Sequence, residues 1–442
     1  MESNGHGRKR RRILTILAAV TAGLVLGGAG LAWYGYARLN ANIRTEPLYT
    51  GTDPQPARAT ASAPAVAAPE ALGTGRALNI LVIGTDARDS AADCALGHDC
   101  GSGERADVEM VVHLSADRSN ATVMSIPRDL LTDLPGCKDP NTGRSVGARY
   151  GMINSALDYG PGCSVAAVDQ LTGLTMDHFV KVDFSGVVSM SDAVGGVSVC
   201  VDRNVYDPDS GLKLKQGTHV LKGVAALQFV RTRHGFLDGS DLGRTYTQHL
   251  FLSRAVNAVK SAGTLTDLPR LWSLASAATK ALTVDQGLGD VGKLASLAQE
   301  FNKVPSSRIT FVTMQNYDAP APNQGRVLIS QSAYRLFQAI AEDRDLSAAA
   351  PVPSGAASAS AAASAEVTPP AATAASSSAS SASASPSTAA SRALAGAHAQ
   401  LGSDDQGCAQ VSTFNTIPTG PNTGITPTEA YARHSEVPDS AP

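Results

Sequence analysis

The polar and apolar positions of this chain divide sharply at its start. Arg8, Lys9, Arg10, Arg11 and Arg12 form a basic run, and residues 13–32 follow with no charged residue and no proline. Such a stretch, at about 1.5 Å per residue, spans about 30 Å, the hydrocarbon thickness of a bilayer. Trp33, Tyr34 and Tyr36 come next, where aromatic side chains settle at an interface. The pattern predicts a cytoplasmic segment over 1–12 and a transmembrane helix over 13–32. Basic residues stay inside, so everything after the helix faces outward. A cleavable signal peptide, cut after Gly30-Leu31-Ala32, is the alternative, but the apolar run exceeds the usual signal core.

From residue 77 to 345 the pattern alternates between two periods. Leu78-Asn-Ile-Leu-Val-Ile83 is a nearly continuous apolar run that ends at Gly84, as in a strand covered on both faces. Val108–Leu114 and Ala121–Ile126 read as two more strands, with Asp117-Arg-Ser-Asn120 as their turn. Val180–Phe184, Val197–Val201 and Ile309–Met314 add further strands. Helical spacing runs through Ser164–Leu171, Phe184–Val194, Asp241–Lys260, Arg270–Leu282 and Val291–Phe301. The expected fold is α/β, a mixed central sheet with helices on both faces.

The flanks read differently. Residues 33–76 hold five prolines (47, 54, 56, 64 and 69) amid Ala and Thr, and read as an extended extracytoplasmic stalk. Residues 346–400 are almost wholly Ala, Ser, Pro and Thr, too little apolar surface to offset ordering entropy, and read as a disordered linker. Residues 401–442 form a tail with Cys408, Phe414 and Tyr431. The six cysteines all follow the apolar helix, where disulfides persist. Cys94 and Cys100 suit a local loop, Cys137 and Cys163 are a second candidate pair, and Cys408 could tie the tail to Cys200. A zinc site at Cys94, His98 and Cys100 lacks a fourth ligand.

Charge changes the picture where it sits, not in its total of −3. Arg and Asp recur at element ends: Asp86-Ala-Arg88, Arg105-Ala-Asp107, Arg128-Asp129, Arg231-Thr-Arg233 and Asp241-Leu-Gly-Arg244. Each alone has a plain reading, as a turn, a helix cap or a solvated pair. Together they fit a pyrophosphate and a divalent metal. Guanidinium forks grip phosphate, and carboxylate oxygens hold Mg²⁺. No Walker loop, GxSxG elbow or histidine cluster offers a rival chemistry.

The motif order resembles the LytR–CpsA–Psr family of cell-wall polymer transferases. The residues that carry it are Leu81-Val-Ile-Gly-Thr-Asp-Ala-Arg88, Arg105-Ala-Asp107, Ser125-Ile-Pro-Arg-Asp129, Ile153-Asn154 and Asp192-Ala-Val-Gly-Gly196. Gly223 through Arg233 and Asp241-Leu-Gly-Arg244 with Gln248 complete it. The motif core covers residues 77–262. Thr247 stands where the family often has Arg, His249 where it often has Gln, and Ala106 where Ser is usual. The resemblance implies a metal-dependent extracytoplasmic phosphotransferase. It would move a glycopolymer from a polyprenyl-pyrophosphate carrier in the membrane lipid onto peptidoglycan. Arg88, Arg128, Arg231, Arg233, Arg244 and Gln248 would bind the pyrophosphate. Asp86 and Asp107 would hold Mg²⁺ or Mn²⁺, with Arg105 orienting them. Arg231, Arg233, Asp241 and Asp129 would serve catalysis.

Two other readings fit the same residues: a polyprenyl-pyrophosphate phosphatase using water, and a non-catalytic lipid-phosphate binding regulator. Outward topology excludes a nucleic-acid partner. The basic-then-apolar order generates a direct expectation. Protease added to intact spheroplasts digests the domain after Ala32, which stays in the membrane fraction. Protection of the domain contradicts this topology, and a released soluble form favours the signal peptide.

Overall fold

The computed structural model describes residues 26–52, 75–88, 90–97, 100, 103–261, 267–347, 386–395, 397–402, 407–420 and 423–441. Its centre is one eight-stranded sheet. In chain order the strands are β1 (Arg44–Glu46), β2 (Leu78–Thr85), β3 (Ala106–Leu114), β4 (Ala121–Ile126), β5 (His178–Val182), β6 (Leu282–Asp285), β7 (Ile309–Thr313) and β8 (His398–Leu401). Their spatial order is β1-β6-β5-β2-β3-β4-β7-β8. β2 runs parallel to β5 and antiparallel to β3, and β4 runs parallel to β7, so the sheet is mixed.

The surrounding helices are α1 (Ala91–Gly97), α2 (Pro161–Thr172), α3 (Phe184–Ala193), α4 (Gly223–Arg231) and α5 (Asp241–Ser261). Then come α6 (Leu268–Ala281), α7 (Val291–Lys303), α8 (Ala333–Ala341), α9 (Pro386–Leu394) and α10 (Pro427–Arg433). One face of the sheet packs Leu81, Ile83, Val111 and Met124 against α2, α8 and α9. The other packs Met110, Val123 and Phe311 against Leu252 and Val256 of α5 and Phe301 of α7. Cover on both faces is why β2 reads as a continuous apolar run. β5 stops at Val182, short of the expected Phe184, because Asp183 caps α3. Its side chain accepts from Gly186 N at 2.7 Å. Val197–Val201 is a strand but lies outside the sheet, paired with Gly217–Leu221 as a hairpin.

Two expectations for the flanks change, and a third, the transmembrane helix over 13–32, lies largely outside the described residues. Residues 26–40 are helical, but residues 1–25, which carry most of the expected span, lie outside the described residues. Among the described residues no helix is long and apolar enough to cross a membrane. The stalk reading fails for 33–52. Asn40 Oδ1 accepts from Val291 N at 2.8 Å, and β1 adds an edge strand parallel to β6. Residues 53–74 lie outside the described residues.

The linker reading fails for 386–400. Ala390, Ala393 and Leu394 of α9 are buried in the main core, and β8 pairs antiparallel with β7. Gln315 Nε2 fixes α9 by donating to Ala393 O at 2.9 Å. Small side chains suffice there because the face they cover is already apolar, a condition that composition does not reveal. Residues 348–385 lie outside the described residues.

The tail docks on a second apolar cluster. Cys408 is bonded to Cys200, Ala409 pairs with Val201, and Val411 pairs with Phe236. Ile417, Ile425 and Ala430 surround Tyr206, and α10 starts on a capping box of Thr426 and Glu429. The other disulfides join Cys94 to Cys100 and Cys137 to Cys163. The Cys200–Cys408 bond closes a loop over a separation of 208 residues, for which chain entropy alone gives roughly 5 kcal/mol. Cys408→Ser is therefore expected to lower Tm by several degrees in non-reducing neutral buffer, and truncation after residue 402 by more. Unchanged melting in both contradicts a docked tail.

Candidate active site

The ends of strands and helices bring members of four of the five Arg and Asp pairs to one cleft of about 270 Å³. Asp107, Arg128, Arg231, Arg233, Arg244 and Gln248 line it. Val108, Val182, Phe184, Val187, Leu227 and Val230 form its apolar wall. The cleft thus has both a cationic and an apolar lining.

Local geometry explains how each group arrives. β2 and β3 slip register between Gly84 and Thr85, so that Val108 faces Gly84 while Ala106 faces Thr85. Asp107 is the extra residue of this bulge, and bulges re-aim side chains. Gly84 is required there: a Cβ would stand 3.0 Å from that of Val108. Arg128 leaves the end of β4. Its Nη1 donates to Asp107 Oδ1, and its Nε lies 3.5 Å from Asp129 Oδ2. Burial opposes the Arg128 charge, but Asp107 and Asp129 outweigh it and hold the pKa above its ordinary value.

Arg231 closes α4. Its Nη1 donates to Leu96 O at 3.1 Å, and its guanidinium lies 4.4 Å from the Phe184 ring centre. Leu96 belongs to α1, which the Cys94–Cys100 bond staples. Burial pushes the Arg231 pKa down, and Arg88 adds to that while Asp107 opposes it. Arg233 Nη2 and Arg244 Nη2 share Asp241 Oδ1, at 3.6 and 2.5 Å. Burial pushes Arg244 down as well. Gln248 Nε2 donates to Val230 O at 3.1 Å, so one amide hydrogen ties α5 to α4 instead of facing a ligand.

Asp86, Arg88 and Arg105 do not line the cleft but sit within electrostatic reach of it. Asp86 Oδ1 accepts from Arg105 N at 2.9 Å. Burial raises the Asp86 pKa, and the Asp107 charge adds to the rise. Arg105 is exposed. Asp129 and Asp241 stand behind the arginines; Asp129 Oδ1 also faces Arg326 at 3.8 Å. Thr247 and His249, the two departures from the family pattern, are turned into the core. Thr247 Oγ1 donates to Arg244 O, and His249 Nε2 meets Ser125 Oγ at 2.7 Å. Burial pushes His249 down to about 3, so it is neutral. Neither adds a phosphate contact.

Sequence reasoning missed Phe184, His234 and the carboxylates Asp207 and Asp209. Phe184 reads as a core residue, and His234 is hidden behind Arg233. The Asp-x-Asp spacing of 207 and 209 was the available signal.

Comparison with known proteins agrees with the motif order. A model described as the LytR_cpsA_psr family matches residues 54–342. The cell wall biosynthesis protein LcpA of Corynebacterium glutamicum is 33% identical over 262 residues, covering 54% of this chain and 50% of that protein. The polyisoprenyl-teichoic acid–peptidoglycan teichoic acid transferase TagT of Bacillus subtilis is 25% identical over 322 residues, covering 70% and 90%. A LytR-Csp2A-Psr enzyme structure from Actinomyces oris covers 68% of this chain and 96% of its own, with 20% identity and a TM-score of 0.48. The chain spans about half the length of the first curated relatives it matches.

The Asp241-Leu-Gly-Arg244 spacing has a steric cause that can be tested. A Cβ at Gly243 would stand 2.5 Å from Phe236 O and 3.4 Å from Arg233 O. Helix α5 therefore lies directly against the loop that carries Arg233. Gly243→Ala is expected to displace that loop and lower Tm by several degrees while far-UV dichroism below the transition stays native. Unaltered melting contradicts the close-approach role.

Proposed function

The chain belongs to the LytR–CpsA–Psr family, and from this membership and the cleft's cationic and apolar lining we propose a cell-wall phosphotransferase. It moves a glycopolymer from a polyprenyl-pyrophosphate carrier onto peptidoglycan. The observation that carries the reading is the convergence of Arg128, Arg231, Arg233 and Arg244 beside an apolar wall. A lipid pyrophosphate has the same two halves, a dense charge joined to a hydrocarbon tail. The likeness to TagT of Bacillus subtilis, a polyisoprenyl-teichoic acid–peptidoglycan teichoic acid transferase, supports the same donor and acceptor classes. Localisation outside the cytoplasmic membrane, behind the 13–32 segment, is part of this proposal.

In this reading the arginine forks hold the non-bridging oxygens and stabilise the charge that develops as phosphorus is attacked. Phe184, Val187, Leu227 and Val230 receive the start of the isoprenoid, each buried CH₂ contributing about 0.8 kcal/mol. Asp129 and Asp241 orient guanidiniums. Asp86 and Asp107 fit a hard divalent cation. They are two carboxylates close enough that one raises the pKa of the other, and each has an oxygen beyond the one held by Arg105 N or Arg128. When bound, Mg²⁺ or Mn²⁺ would supply further neutralisation of pyrophosphate charge. Arg105 positions Asp86 through its backbone.

The test is a transfer assay with a short-chain polyprenyl-pyrophosphate oligosaccharide and a peptidoglycan fragment. Turnover requires the acceptor, is lost in excess chelator and returns with Mg²⁺ or Mn²⁺. Arg231→Ala and Arg233→Ala each lower kcat/KM at least a hundredfold, roughly 2.7 kcal/mol of transition-state stabilisation. Arg233→Lys recovers little, because an ammonium lacks the planar fork. Equal turnover without acceptor contradicts transfer and favours the phosphatase reading. No turnover with tight lipid binding favours the regulator.

A further inference from the structure

We propose that His234 accepts the proton of the attacking acceptor hydroxyl, with Asp207 and Asp209 orienting its ring. The inference rests on the transfer reaction proposed above. His234 lines the cleft beside Arg231 and Arg233. Its Nδ1 lies 3.2 Å from Asp209 Oδ2 and 3.9 Å from Asp207 Oδ1. These carboxylates are ion-pair neighbours of Nδ1 without hydrogen-bond geometry; their charge favours the hydrogen on Nδ1, which leaves the lone pair on Nε2. A base steered by a third group is the arrangement that activates hydroxyl nucleophiles on many folds.

The support behind the ring is rigid. Asp207 is fully buried. Its Oδ2 accepts from Thr232 Oγ1 at 2.6 Å and from the backbone N–H groups of Arg233 and His234 at 3.1 and 3.3 Å. Its Oδ1 accepts from Asp209 N at 3.1 Å. One carboxylate thus fixes the whole 232–234 segment. The docked tail adds a brace, Thr416 Oγ1 donating to His234 O at 2.6 Å. Asp207, Asp209 and His234 also stand close enough to share a cation. With donors already on both of its oxygens, however, Asp207 has little left for a metal. The cluster is therefore an oriented imidazole.

The other carboxylates that line the cleft are otherwise engaged: Asp107 holds Arg128, and Asp183 caps α3. Behind the arginines, Asp129 faces Arg128 and Arg326, and Asp241 faces Arg233 and Arg244. Protonating either would release the guanidiniums it holds. The charged groups facing His234 are Asp207 and Asp209 from the 205–214 hairpin and Arg233 from its own segment. The neighbouring Asp207 carboxylate raises its pKa first, burial opposes the rise, the Asp209 charge adds to it, and Arg233 opposes it. A base near the working pH is the efficient one.

The step balances. A lone pair of the acceptor oxygen forms the new O–P bond. The bridging P–O bond breaks, and its electron pair leaves on polyprenyl phosphate. The hydroxyl proton moves to His234 Nε2 and passes from there to solvent or to the departing phosphate.

The experiment measures kcat against pH for full-length wild type, His234→Gln and Asp209→Asn, with binding of the short-chain polyprenyl pyrophosphate in parallel. Wild-type kcat rises with pH along an acid limb. His234→Gln loses that limb and at least a hundredfold in kcat, while lipid affinity stays within threefold. Asp209→Asn keeps the limb but moves it to lower pH, because a lost carboxylate no longer favours the imidazolium. An active wild type with a His234→Gln variant of similar kcat and unchanged limb overturns His234 alone. So does an Asp209→Asn limb that stays in place. A wild type without acceptor-dependent transfer overturns the reaction itself and this assignment with it.

Discussion

Mutual repulsion among guanidiniums is the constraint around which this domain is arranged. Arg128, Arg231, Arg233 and Arg244 share one cleft, and Arg88 is close enough to disfavour the Arg231 charge. Each additional cation in a partly buried space costs more than the last. The fold offsets this with a counter-group for each. Asp107 and Asp129 serve Arg128, Asp241 serves both Arg233 and Arg244, and a helix carbonyl with an aromatic face serves Arg231. The offset is partial, since Arg231 and Arg244 remain depressed by burial. A polyanion entering the cleft would relieve what the protein leaves unbalanced, so affinity for pyrophosphate follows from the arrangement in the proposed reading.

Holding such an array requires stiff supports, and they come from distant parts of the chain. The β2–β3 bulge delivers Asp107, and Gly243 lets α5 lie against the Arg233 loop. The Cys94–Cys100 bond staples the helix whose carbonyl receives Arg231. The tail, bonded through Cys408 to Cys200, pairs with Phe236 and braces the His234 backbone. Three disulfides fit an oxidising compartment. They also place the burden of order on covalent bonds where the secondary structure is short.

Much of this was legible in the sequence where the signal is local. β2, β4 and β7 announce themselves as apolar runs because both faces are covered. α3, α5 and α7 announce themselves by spacing. The Arg and Asp pairs were legible because a charge at the end of an apolar run has few structural reasons to recur. The bulge at Asp107 was not legible, since it depends on the register between two strands. Nor was the Asp207–His234 contact, which joins a hairpin to a loop with no pattern linking them. Gln248 reads as a ligand donor and does line the cleft, but its tie to the Val230 carbonyl was not legible. Residues 386–401 looked unfoldable from composition because burial of alanines depends on the face they meet.

The central claim is that the cleft is shaped by charge for a pyrophosphate and not merely for a lipid. Calorimetric titration of the full chain with short-chain polyprenyl pyrophosphate and with the corresponding monophosphate, at two ionic strengths, tests it most directly. The pyrophosphate is expected to bind at least tenfold more tightly, with the gap narrowing as salt rises and closing in Arg233→Gln. Equal affinity for the two lipids, insensitive to salt and to Arg233, would contradict it.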